Sequence, residues 1–512
     1  MTNASAWSVA LNGMDGQLVE VEAALGAGLP KTVLVGLPDT ALYEARDRCR
    51  AAATATGLGW PSQLLTINLT PASLPKAGSH YDLAIMAAVL VASGAAPAHV
   101  SREAVLLGEL GLDGRVRRVR GVLPALLVAR DSGRRRAIVP ACQEAEARLV
   151  EGLEIWGVAT LDELVEALNG RPVLPRPGGC DEEAVHRWPE QDDAPDLSDV
   201  VGQPEGRWAL EVAAAGGHHL FLHGAPGLGK TMLAMRLPGL LPDLGADEAL
   251  EVSALRSLAG EDLGGQLIRR PPFADPHYNA TLASMVGGGS RLARPGAISL
   301  AHRGVLFLDE APEFSPRVLD ALRTPLESGT ISIARSQGMV RFPARFQLVL
   351  AANPCPCGQS GTPGALCQCT PMAVRRYRER ISGPIVDRID IHQHLMPVRV
   401  SVASVLDPSP EPTAVVAQRV AAARDRSRAR LAGTGWMLNA EVPGGVVRKS
   451  LPAPRGTRVL DDALAKGRIS ARGVDKVARI SWTLADLAGH DRIDEDDLAA
   501  AMGLHGGEWW GV

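Results

Sequence analysis

The feature that most constrains this chain is an eight-residue loop, Gly224-Ala225-Pro226-Gly227-Leu228-Gly229-Lys230-Thr231, set between a short apolar run at 219–223 and a helix-favouring stretch at 231–237. It satisfies G-x-x-x-x-G-K-[ST] in full, in the strand–loop–helix setting that gives the pattern its chemistry. Glycines let successive backbone N–H groups turn inward on an anion. The helix N-terminus adds its positive end, Lys230 reaches the β and γ phosphates of a nucleotide, and Thr231 offers a hydroxyl to Mg²⁺. Lysine is scarce, six in 512 residues, so Lys230 in this loop does not reflect abundance. A strand feeding such a loop belongs to a parallel sheet whose carboxyl edge carries the site.

Two further apolar runs fit that sheet. The run at 304–308 ends in Asp309-Glu310, and the run at 346–351 is followed by Asn353. Asp309 suits the magnesium shell and Glu310 the polarisation of an attacking water, while Asn353 can hydrogen-bond that water or the γ-phosphate. The expected ligands are ATP and Mg²⁺.

A chain of 512 residues exceeds one hydrophobic core, so two to four domains are expected. Residues 1–170 alternate strand-like stretches (32–35, 64–69) with helix-like ones (41–56, 83–92), which predicts a mixed α/β domain. Pro, Gly and acidic residues crowd 171–195, a linker composition. The nucleotide-binding α/β domain then spans 196–400, with a hairpin at 330–343 turning at Ser336-Gln337-Gly338. Residues 401–512 are helical in period, most clearly at 415–431, 471–487 and 494–502. Lys+Arg at 53 against Asp+Glu at 57 leaves no basic field over the whole chain, so any nucleic-acid contact is local. The N-terminus lacks a leader pattern, and the most apolar stretch, 83–96, is interrupted by Ser93-Gly94 and too short to span a bilayer. A cytoplasmic protein without a membrane partner is expected.

Of seven cysteines, Cys49, Cys142 and Cys180 are scattered, which is no disulfide framework. Cys355, Cys357, Cys367 and Cys369 instead form C-x-C-x₉-C-x-C on a loop rich in Gly and Pro. Four thiolates can satisfy a tetrahedral structural Zn²⁺; reduced loop thiols are the alternative.

With these motifs in order, the chain resembles the AAA+ superfamily, and within it the YifB/ComM family of magnesium-chelatase-like proteins. The likeness extends to Asp199-Val200-Val201-Gly202-Gln203, Met285-Val286-Gly287-Gly288-Gly289, Ile298-Ser299-Leu300-Ala301-His302-Arg303-Gly304 and Arg380-Ile381-Ser382-Gly383-Pro384-Ile385-Val386-Asp387-Arg388-Ile389-Asp390. It implies a P-loop AAA+ parallel sheet with a helical lid, preceded by a Lon-protease-like (ribosomal S5 domain 2-like) α/β domain. It also implies a homo-oligomeric ring, expected to be a hexamer, with ATP between subunits. Arg388 matches the arginine that one subunit presents to its neighbour's γ-phosphate, with Arg380 and Arg378 as alternatives, and Arg472 matches the second-sensor arginine of the lid. The stretch 260–296, carrying Arg269, Arg270, Arg291 and Arg294, matches the helix-2 insert. The hairpin at 330–343, carrying Arg335 and Arg341, matches the pre-sensor-1 hairpin. Both line the pore in the resembled branch, where basic side chains could grip a phosphate backbone.

The N-terminal domain resembles a Lon protease around Pro75-Lys76-Ala77-Gly78-Ser79-His80-Tyr81-Asp82 and around 114–123, but His80 stands in the serine position and Leu123 in the lysine position, with Ser79 adjacent. A Ser–Lys dyad needs both partners. The expected activity is therefore that of an ATPase driving a DNA helicase or branch-migration factor, as in ComM-like proteins of natural transformation. The alternatives are the ATPase subunit of a metal-chelatase complex, an ATP-dependent protease and a protein-threading chaperone.

Overall fold

The computed structural model describes residues 2–36, 40–74, 76, 78–171, 195–289, 293–335, 338–360, 366–397, 411–451, 454 and 457–506. The expected linker (except its two end residues), Arg291, the hairpin residues Ser336 and Gln337, and Trp509-Trp510 lie outside the described residues.

The chain opens on a hairpin absent from the expectations above. Strands β1 (Thr2–Asn12) and β2 (Asp15–Gly26) pair antiparallel along their whole length, turning at Gly13, whose φ of +71° suits a residue without Cβ. Their inward residues are Ala4, Ala6, Val19, Val21 and Ala23, several of them small, so the period-two signal is weak although the burial is complete. With β3 (Lys31–Val35), β4 (Leu64–Thr70), β5 (Ala104–Leu106), β6 (Arg136–Pro140) and β7 (Glu154–Val158) they form a seven-stranded mixed sheet, in the order β3–β4–β2–β1–β5–β6–β7. Helix Asp82–Ala92 is buried on nearly every side, which accounts for the long apolar run at 83–96: a helix apolar all round belongs in a core.

The second sheet is parallel throughout. Its strands are β8 (Leu220–His223), β9 (Phe273–Ala274), β10 (Val305–Leu308), the hairpin pair β11 (Thr330–Arg335) and β12 (Gly338–Pro343) being separate, then β13 (Gln347–Ala352) and β14 (Ile391–His394). The order is β9–β10–β13–β8–β14. Every residue of β8, β10 and β13 is buried, the pattern expected where both faces are covered. One expectation is corrected here. Phe273–Ala274, within the stretch taken as an insert at 260–296, pairs with Val305 and Leu306 as an edge strand of the core sheet. Two residues are too few to leave a periodic trace. The expected helix at 231–237 also divides, into Lys230–Ala234 and Leu237–Leu240, with Pro238 opening the second.

Three longer helices follow: Thr413–Leu431, Ala471–Ala488 and Glu495–His505. Ser470 and Asp494 cap the last two by accepting from the N–H groups of Gly473 and Asp497. Their apolar faces (Val416, Val420, Val477, Ile480, Trp482, Leu498) share one core with Leu210, Leu222 and Val349 of the parallel-sheet unit. A buried polar joint fixes the contact: His218 sits 3.2 Å from Asp390 and 2.8 Å from Thr483, and Lys476 donates to the carbonyl of Ile389 at 2.8 Å.

The two sheets are joined through packing as well as sequence. Val9, Val105, Val122, Leu123 and Leu126 share a core with Leu244, Ala249, Val252 and Ile268, while Leu11 and Met14 pack onto Leu255, Leu258, Val340 and Phe342. Ser257 accepts the N–H of Leu123 and donates to Glu146 at 2.5 Å, and its carbonyl takes the N–H of Gly121.

Candidate nucleotide site

The phosphate loop leaves β8 at the carboxyl edge of the parallel sheet. Gly227 (φ +78°) and Gly229 (φ +84°) adopt left-handed backbone that an L side chain would strain, and Gly229 caps the helix that starts at Lys230. The Lys230 ammonium is buried and donates to the carbonyls of Gly224 (2.7 Å) and Ala225 (3.0 Å) and to Oδ1 of Asn353 (2.9 Å), which occupies all three of its N–H groups. Burial lowers its pKa to about 8, against the charges of Asp309 and Glu310. Asn353 thus meets the phosphate loop directly from the end of β13.

Thr231 Oγ1 donates to Asp309 Oδ2 at 2.6 Å, and the other carboxylate oxygen accepts the N–H of Glu310 at 2.8 Å. The hydroxyl and carboxylate form a pair of hard oxygen donors beside the loop, a set that suits Mg²⁺. Glu310 is exposed and has φ +50°, rare for a residue with a side chain and a form of strain that collects at working sites.

The arginines lie elsewhere. Arg388 pairs with Glu327 and donates to the carbonyl of Pro384; Arg380 pairs with Glu313 at 2.7 Å; Arg472 pairs at 3.0 Å with Asp387, the neighbour of Arg388. Among the described residues, neither Arg388 nor Arg472 hydrogen-bonds its own phosphate loop. Arg335 donates to the carbonyl of Gly289, so the hairpin and the 260–296 stretch meet, and Arg341, Arg269 and Arg294 are exposed.

The four clustered cysteines converge. Sγ of Cys355 is 3.3 Å from that of Cys357 and 3.7 Å from that of Cys367, Cys357 and Cys367 are 3.6 Å apart, and all four sulfurs lie within 4.8 Å of one another. The backbone of Gln359 and the neighbouring sulfur of Cys355 lower the Cys357 thiol to about 6. In the N-terminal domain Ser79 donates to Glu109, Lys76 to the carbonyls of Gly36 and Pro71, and His80 is buried against the carbonyl of Val9. No Ser–Lys pair forms among the described residues.

Comparison with known proteins bears on this arrangement. Residues 196–402 match the profile of magnesium chelatase, subunit ChlI; 21–143 match that of subunit ChlI of Mg-chelatase, and 410–505 that of its C-terminal part. The chain is 50% identical over 499 residues to an uncharacterized Mycobacterium tuberculosis protein, covering 97% of each. It is 41% identical to YifB of Escherichia coli (96% of this chain, 94% of that one) and 39% identical to competence protein ComM of Haemophilus influenzae (98% and 97%). The chain belongs to the YifB/ComM family of magnesium-chelatase-like AAA+ proteins. In this YifB/ComM protein, two features had no signal in the sequence: the approach of Gly358 to Pro226, and Tyr377. Burial raises the Tyr377 phenol above its usual range, and the charge of Glu313 adds to the rise. Both depend on contacts between distant segments. No helix among the described residues is long and apolar enough to cross a membrane.

Proposed function

We propose that this protein is a ring-forming ATPase, expected as a hexamer, that uses ATP hydrolysis to move DNA as a helicase or branch-migration factor. The observation that carries the ATPase reading is the hydrogen-bonded set of Lys230, Asn353, Thr231 and Asp309 at the carboxyl edge of one parallel sheet. In it Lys230 binds the β and γ phosphates, Glu310 orients the attacking water and Asn353 senses the γ-phosphate. Thr231 and Asp309 would hold magnesium, which when bound neutralises phosphate charge. Arg388, and Arg472 which pairs with the adjacent Asp387, make no bond to their own loop among the described residues and serve a neighbour's nucleotide; a forked, permanently charged guanidinium suits that task. DNA as the load is favoured by the contact of the basic hairpin with the 260–296 stretch, and by a relative named for competence at 39% identity. Cys355, Cys357, Cys367 and Cys369 hold structural zinc: Zn–S bonds of about 2.3 Å place tetrahedral sulfurs about 3.8 Å apart, close to the separations found.

The chelatase profiles favour a second reading, the ATPase subunit of a metal-chelatase-type complex. ATP turnover and unwinding of branched DNA by the wild type, Glu310→Gln and Arg388→Ala separate the two. A DNA motor shows DNA-stimulated hydrolysis, with each variant lowering turnover by about a hundredfold or more while nucleotide still binds. Hydrolysis indifferent to DNA, with no DNA binding at low salt, refutes DNA as the load and leaves the ATPase standing.

A further inference from the structure

We infer that the four-cysteine knot, holding one zinc ion, is a positioning element of the nucleotide pocket: it braces Pro226 and Asn353 and ties them to the arginine-bearing helix Pro371–Glu379. This rests on the zinc reading above and adds a consequence for ATP.

The knot touches the pocket in two places. Asn353, the acceptor of Lys230, is two residues from Cys355, a fully buried sulfur ligand that accepts the N–H of Ser360 at 3.3 Å. The turn from Cys355 closes when Gly358 N–H reaches the carbonyl of Cys355 at 2.9 Å. Gly358 then lies, at φ +75°, so close to the phosphate loop that a Cβ would come within 2.5 Å of Pro226 Cγ and 2.7 Å of its Cδ. The backbone of the knot is therefore a wall of the loop that binds phosphate.

The other end of the knot runs into the arginine face. Cys369 is followed by Thr370, whose hydroxyl caps the helix Pro371–Glu379 by accepting from Ala373. That helix carries Tyr377, whose side chain is buried, and Arg380 follows it directly. Sulfur contacts close the chain between Cys357 and Cys367. Thiols alone supply only weak S–H···S contacts, whereas a zinc–thiolate centre holds four points of the chain rigidly. Metal loading therefore decides how firmly Asn353 and Pro226 are held. Losing the metal relaxes the wall of the phosphate loop and the third acceptor of Lys230 together.

The test uses the full-length protein and a fluorescent ATP analogue. Zinc content is measured for the wild type, for wild type stripped by a chelator and resupplied with magnesium, for Cys357→Ser and for Gly358→Ala. The expected result is about one zinc per chain in the wild type and in Gly358→Ala. The stripped protein and Cys357→Ser should bear none. Nucleotide affinity should fall about fivefold or more in all three altered proteins, returning to the stripped protein when zinc is restored. Should Cys357→Ser fail to fold, the stripped wild type and Gly358→Ala decide. Zinc bound but affinity unchanged on its removal overturns the positioning role alone. Absence of zinc and of zinc uptake overturns the metal centre. Wild type that binds no nucleotide overturns the ATPase reading instead.

Discussion

At Lys230 the loop keeps an ammonium in a place that disfavours its charge, because burial outweighs the attraction of Asp309 and Glu310 and lowers the pKa from 10.5 to about 8. A phosphate needs the charged form. ATP affinity should therefore be level below about pH 7 and weaken through about pH 8 to 9, by up to about tenfold per unit. Stability has the opposite sign: the folded pKa lies below the unfolded one, so the penalty of burying the charge is present below about 8 and is relieved toward 10.5. Fluorescent-nucleotide titrations across this range check the first, with Lys230→Arg as control; a wild-type affinity independent of pH would refute it. The residue types at this site were legible in the sequence because the chemistry is local. The pairing of Lys230 with Asn353 was not, since it joins residues 123 apart in sequence.

At the scale of elements, the joint between β14 and the helix Ala471–Ala488 decides where the lid sits. Burial would raise the Asp390 carboxyl, yet the hydrogen bond from His218 and the charge of Lys476 hold it well below the usual carboxylate range. Removing one partner leaves buried charge uncompensated, so Asp390→Ala should cost about 3 kcal/mol or more in denaturant unfolding. A loss under about 1 kcal/mol would mean that the joint is not a structural determinant. The helices on either side were legible from their 3.6-residue period, and the hairpin at β11 and β12 from alternation about a turn. The edge strand Phe273–Ala274 and the β1–β2 hairpin were not, one because it is too short and the other because small residues carry its inner face.

Across the whole molecule, the N-terminal sheet and the nucleotide-binding sheet share apolar packing. Gly13 at the tip of the first hairpin lies against the basic hairpin: a Cβ there would meet the Arg341 carbonyl at 2.7 Å and Val340 Cγ1 at 2.8 Å. Asn12 Nδ2 donates to the carbonyl of Met339 at 3.3 Å. The basic hairpin is therefore packed against the N-terminal domain. Because Leu244, Val252, Leu255 and Leu258 complete their cores with residues of the first 126, the N-terminal sheet and the helix Ala246–Ala259 should unfold together in one calorimetric transition. A fragment beginning at residue 196 should aggregate or melt well below the intact protein. Two separate transitions, or a fragment as stable as the whole, would refute this coupling.

The sequence by itself determined the glycine loop between strand and helix, the acidic pair that ends a later strand, the α/β and helical parts and the family, since these follow from residue types at fixed short spacing. Only the tertiary structure decided that Asn353 holds Lys230, that the cysteine knot leans on Pro226, that Arg472 meets Asp387, and that the N-terminal hairpin abuts the basic one. Each of these depends on packing between segments far apart in the chain, where burial and shape rather than local pattern choose the partner.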